Sequence, residues 1–238
     1  MNQSERNRMH RLWGMKAVKR FTALLLVLLL GLTQIISAVA DQPGDTEGDP
    51  ETEPVEYVAR LYVCTRFTFP FSTGHAWVYL ENLTDRTLQV GLYELPPEEG
   101  VSIGSYGITR EGFGVYYNVE SFYCNTHAYR RIWSLQEDIT QEDLDTLNEG
   151  KLRRNYWGII TYNCMGFAFS VWNDVARPRL IPLLLPILGF VQILLHGGQV
   201  GEVDMTNPGP DRVYLVKGTG DERWLKPVGD WSLHFPIG

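Results

Sequence analysis

The chain has 238 residues and a formal net charge of -7, and 44% of its residues are hydrophobic. That is enough apolar material for one medium domain with a real core. The acidic balance, with no basic patch in the body of the chain, excludes nucleic acid as an expected partner.

Residues 1–20 carry six bases and one acid, and residues 21–37 carry no charge. Ala38-Val39-Ala40 then matches the small-x-small pattern of a cleavage site. This layout predicts a signal peptide cut after Ala40, and hence a secreted or cell-envelope-associated protein; an uncleaved membrane anchor is the competing reading. Removing those residues moves the net charge from -7 to -12. Seven acids and three prolines, with no base, fall in residues 41–56. Such a segment cannot bury enough surface to order itself, so it is expected to be a disordered linker in front of a domain over residues 57–238.

Five stretches from Tyr57 to about Tyr123 read as strands: "YVARLYVCTRF", "GHAWVYLEN", "TLQVGLYEL", "GVSIGSYG" and "GVYYNVESF". They are rich in Val, Tyr and Leu and are bounded by turn residues. "ENLTDRT" predicts a hairpin turn between the second and third, and Asn82-Leu83-Thr84 is formally a glycosylation sequon. "RRIWSLQE" suits a further strand. Thr140, with Asp143 three residues on, predicts an N-cap for a helix over 141–149 that Gly150 ends.

"YWGIITY" reads as a short strand running into Asn163. Cys164, Phe167, Ala168, Val171, Trp172 and Val175 then fall on one face of a helix that opens at the cysteine. Residues 180–195, "LIPLLLPILGFVQILL", are apolar but broken by Pro182 and Pro186. They suit a core helix or the wall of a binding groove, with membrane-surface contact as the alternative. "RVYLVKG" and "WSLHF" read as closing strands.

Asn163 is a preferred N-cap type, which places Cys164 in the first turn of its helix, where unpaired N–H groups and the helix dipole stabilise a thiolate. The matching base is His75, which follows Gly74 at the head of the strand "HAWVYLEN". A strand-borne imidazole facing a helix-borne thiol is an arrangement for nucleophilic catalysis. Glu120, Cys124 and His127 are too sparse to hold a metal, and no cofactor is expected. Cys64 and Cys124 both lie in strand-like surroundings and suit a disulfide, with three reduced buried cysteines as the other reading.

Gly74-His75-Ala76 at a strand head, followed some ninety residues later by Asn163-Cys164 opening an apolar helix, resembles the papain-like fold in its circularly permuted form. That group includes permuted NlpC-type amidases and peptidases, lecithin retinol acyltransferase-like proteins and PPPDE-type peptidases. The resemblance covers about residues 57–176. It implies an α+β fold in which an antiparallel sheet packs against a helix with the cysteine at its N-terminus. It also implies Cys164 as nucleophile, His75 as general base and the Cys164 N–H as part of an oxyanion hole. A third residue must orient the imidazole. Asn118 is preferred by analogy with the amide of papain-like triads, and Glu120 and Glu94 are the alternatives. If Asp85 and Arg86 form the hairpin turn, Glu94 lies within diagonal reach of His75.

The leading expectation is thus an exported thiol-dependent amidase or peptidase acting on peptide or cell-envelope substrates. An acyltransferase or lipid-ester hydrolase using the same residues, with 180–195 as its acyl groove, is one alternative. A non-catalytic envelope-associated binding domain is the other.

Overall fold

The computed structural model describes residues 55–66, 74–107, 112–126, 132–153, 163–182, 186–201 and 203–228. The leader, nearly all of the acidic linker, His127, "YWGIITY" and "WSLHF" lie outside the described residues. Those described belong to a unit that runs from Pro54 to Gly238.

The architecture is α+β, and the strand pairings among the described residues are all antiparallel. The strands are β1 (Ala59–Arg66), β2 (His75–Asn82), β3 (Leu88–Val90), β4 (Tyr93–Leu95), β5 (Gly100–Tyr106), β6 (Gly114–Tyr117), β7 (Ile132–Ile139), β8 (Gln199–Gly201), β9 (Tyr214–Lys217) and β10 (Trp224–Pro227). The helices are α1 (Val119–Thr126), α2 (Gln141–Glu149), α3 (Cys164–Val175) and α4 (Pro186–Leu195). Eight strands form one sheet in the order β10-β9-β6-β5-β2-β1-β7-β8, and β3 and β4 form a separate hairpin.

Period-two side-chain alternation gives this sheet two buried faces. Ala76, Val78 and Leu80 of β2 join the main core with Phe167, Ala168, Val171 and Trp172 of α3. Burial of a side chain such as Phe169 or Val171 contributes about 1.5–3 kcal/mol. On the opposite face Trp77 and Tyr79 cluster with Cys64, Ile132 and Met205, while Tyr116 packs with Val119 and Phe122 of α1.

Several expected elements form as read. Thr140 and Asp143 make a reciprocal capping box at α2. Asn163 caps α3 by accepting a 2.8 Å bond from the Gly166 N–H. "RVYLVKG" supplies β9.

Other expectations are corrected. "TLQVGLYEL" is two short strands folded back at Gly91, which has φ +60°. No hairpin joins β2 to β3: β1 and β5 occupy both edges of β2, so "ENLTDRT" leads instead into the separate hairpin. There Asn82 is buried, and its side-chain amide donates to the carbonyls of Arg86, Leu95 and Pro96. This engages the nitrogen that a glycan on the sequon would need. "GVYYNVESF" breaks at Asn118, whose φ of +67° ends β6 and starts α1. The cap of α1 comes from outside its own sequence, because the Ser102 hydroxyl of β5 accepts the Ser121 N–H at 3.0 Å.

In the apolar run, Gln192 bonds both the N–H and the carbonyl of Ile181. Gly189 of α4 sits so close to α3 that a Cβ there would lie 2.7 Å from Met165 Sδ. Leu194 and Leu195 face outward. No helix among the described residues is long and apolar enough to cross a membrane.

Candidate active site

Gly74, with φ +84°, turns the chain into β2 so that His75 opens the strand. Trp77 stacks on one side of the imidazole at 5.8 Å between ring centroids, and Tyr106 lies 4.4 Å away. The side chain of His75 keeps 22% of its surface exposed, whereas that of Glu120 keeps none.

His75 Nε2 donates to Glu120 Oε1 at 2.9 Å, and the Tyr106 hydroxyl donates to the same oxygen at 2.8 Å. Two donors converging on one oxygen define it as an acceptor. Glu120 Oε2 is buried and has no hydrogen-bond partner among the described residues. The carboxylate therefore spends its directional bonding on the imidazole and the phenol. Gly104 makes room for it: a Cβ there would stand 1.9 Å from Oε1 and 3.2 Å from His75 Nε2.

With Nε2 committed to Glu120, Nδ1 is the nitrogen left for a partner, and the Cys164 thiol lies near enough to the imidazole for each to influence the other's ionisation. Burial alone would push that thiol up. The His75 charge and hydrogen bond, together with the backbone N–H groups of Ala76 and Met165, outweigh burial and hold the thiol below its ordinary value. Burial pulls His75 down, but the charge and hydrogen bond of Cys164, followed by those of Glu120, raise it to about 9. The two shifts have opposite signs and a common cause, the nearness of thiol and imidazole, which favours the thiolate–imidazolium form.

Of the sequence candidates, Cys164, His75 and Glu120 come together. Asn118 does not take the third place: its side-chain amide donates to the Arg212 carbonyl at 3.0 Å, and its side-chain oxygen is buried with no partner among the described residues. The helix that starts at Val119 carries Glu120 to the imidazole instead. Glu94 is exposed on β4, paired with Gln89 in the separate hairpin. Tyr106, Gly104 and Ser102 escaped the sequence reading. Their alternation in "GVSIGSYG" places them on one face of β5, and that was the available signal.

No group of acidic, histidine and cysteine side chains among the described residues suits a metal ion. No family model, no curated protein and no solved structure matches the chain.

Proposed function

We propose that the protein is a thiol-dependent hydrolase of amide bonds, exported and acting on peptide or cell-envelope material, with a permuted papain-like arrangement of its site. The observation that carries this reading is the contact of Cys164 with His75, the thiol held low and the imidazole held high while Glu120 grips the far ring nitrogen.

In this reading the Cys164 thiolate attacks the substrate carbonyl, and the N–H of Cys164, at the open end of α3, donates to the developing oxyanion. The imidazolium then gives its Nδ1 proton to the leaving amine as the C–N bond breaks, leaving a thioester. Neutral His75 next takes a proton from water, whose oxygen attacks the thioester, and the acid product departs as the thiol reforms. Glu120 keeps the ring oriented throughout and stabilises its charged form.

The test is Cys164→Ala assayed on peptide and cell-wall amides alongside circular dichroism. Turnover should vanish, by at least about a thousandfold as for loss of a nucleophile, with the spectrum unchanged. Persistence of turnover in that variant would sink the reading.

A second reading, acyl transfer or lipid-ester hydrolysis, is favoured by one feature. The apolar helix α4 lies against Met165, the residue after the nucleophile. Such a wall suits an acyl chain. Cleavage of short-chain acyl esters with no cleavage of peptides would favour this reading.

A further inference from the structure

Cys64 and Cys124 are buried or half-buried thiols that the proposed chemistry does not use. The sequence placed both on strands, but the structure puts Cys124 on α1, four residues and so about one turn beyond Glu120. The two side chains therefore leave the same face of that helix. Cys64 is on β1, where it pairs with Trp77 of β2.

Packing puts them in one neighbourhood, and the electrostatics of the two thiols agree. Cys124 packs against the cluster formed by Cys64, Trp77, Tyr79, Ile132 and Met205. Cys64 interacts electrostatically with both Cys124 and Glu120. Cys124 in turn interacts with Glu120 and with Arg66, which lies two residues from Cys64 and hence on its face of β1. Cys124 thus packs against the cluster that contains Cys64, about one helical turn beyond the carboxylate that orients His75.

We propose that Cys64 and Cys124 are a disulfide-forming pair, and that their bridge staples helix α1 to the sheet one turn from Glu120. The inference does not depend on turnover at Cys164. The bond forms by exchange with a small-molecule or protein disulfide. One thiolate attacks that disulfide and releases a thiol, and the second cysteine then displaces the other thiol, so two thiols are oxidised to one disulfide as one external disulfide is reduced to two thiols.

The timing follows from burial. In the packed structure burial pushes the Cys64 thiol well above its ordinary value and the Cys124 thiol up to about 12, so neither supplies much thiolate. Refolding from the reduced state, in which both thiols are exposed, is therefore the condition under which the bridge is expected to close. The staple also has a mechanical role to fill. Among the described residues, α1 is also held by the Ser102 cap, the bonds of Glu120 to His75 and Tyr106, the bonds of Ser121 and Asn125 to Met205, and the apolar contacts of Val119, Phe122 and Tyr123.

The experiment is refolding of the full chain from the reduced, unfolded state in a buffer of oxidised and reduced glutathione. The thiols are then counted by alkylation and the linked peptides mapped by mass spectrometry. We expect one alkylatable thiol, at Cys164, and a peptide pair joining Cys64 to Cys124. Reduction should restore three thiols and lower the melting temperature by about 10 °C, as expected for opening a long covalent loop in a domain of this size. The same bridge should form in Cys164→Ala, which separates this inference from the fate of the catalytic reading. Three free thiols in the folded product, a bridge that includes Cys164, or a Cys64–Cys124 bridge whose reduction leaves the melting temperature unchanged would each overturn it.

Discussion

Glu120 acts on Cys164 only through His75, so its contribution should appear in a pH profile rather than in rate alone. The thiolate–imidazolium pair exists above the lowered value of Cys164 and below the value of about 9 for His75. Alkylation of Cys164 should therefore gain its paired character as pH rises through the thiol's value and lose it as His75 deprotonates near 9. Glu120→Gln keeps the size of the side chain but removes its charge. The imidazolium then loses support, and the alkaline limb should move to lower pH. A profile of rate against pH for that variant checks this, and an unmoved limb would reduce Glu120 to packing. Gly104→Ala asks the same question through space, because its Cβ would fall 1.9 Å from Glu120 Oε1. We expect a loss of about 1–3 kcal/mol of stability, as in other overpacked cores, with Cys164 reactivity shifted in the same direction as in Glu120→Gln. Thermal unfolding read beside alkylation decides it, and a variant that melts and reacts like the parent would show that the carboxylate has room to move.

Two element termini aim the chemistry, and they differ in how plainly the sequence announces them. Helix α3 announces itself, since Asn163 caps it from the adjacent position and the apolar spacing that follows fixes its face. Asn163→Ala should cost about 1 kcal/mol and raise the thiol toward its ordinary value, because one N–H of the first turn loses its acceptor and the turn frays. Urea unfolding and the pH dependence of alkylation measure the two effects, and a destabilised protein with an unchanged thiol would separate the cap from the nucleophile. Helix α1 was hidden for the opposite reason. Val, Phe and Tyr in "YYNVESF" favour a strand locally. What makes it a helix is tertiary: the positive φ of Asn118 and a cap in which Ser102, on another strand, accepts from the Ser121 N–H 19 residues later. Reading that stretch as a strand left Asn118 and Glu120 undecided, whereas on a helix Glu120 alone meets the imidazole. The assumed β2–β3 hairpin failed on similar grounds, since local turn residues cannot show that both edges of β2 are taken by β1 and β5. Strands β8 and β10 also went unread, being short pieces of three and four residues at the sheet edges.

At the scale of the whole molecule, the site is assembled across the sheet rather than within one segment. His75 comes from β2, Gly104 and Tyr106 from β5, Glu120 from α1 and Cys164 from α3, and the segment around Met205 covers the face on which Glu120 lies. Strand β1, the earliest in sequence, sits in the interior of the sheet between β2 and β7, while the late strands β9 and β10 extend its β6 side. Early and late parts of the chain thus share the sheet on which His75 and Glu120 meet, which argues for one cooperative unit. All these contacts fall between Pro54 and Gly238, the bounds of the unit to which the described residues belong. The chain beginning at Pro54 should therefore unfold in a single transition and keep the alkylation rate of Cys164 and its dependence on His75. Coincident melting curves from tryptophan fluorescence and far-ultraviolet circular dichroism would establish the first, and a comparison of rates with the full chain the second. Separate transitions, or a slowed thiol, would mean that residues before Pro54 help to hold the sheet or the site, and the boundary would have to move toward the N-terminus.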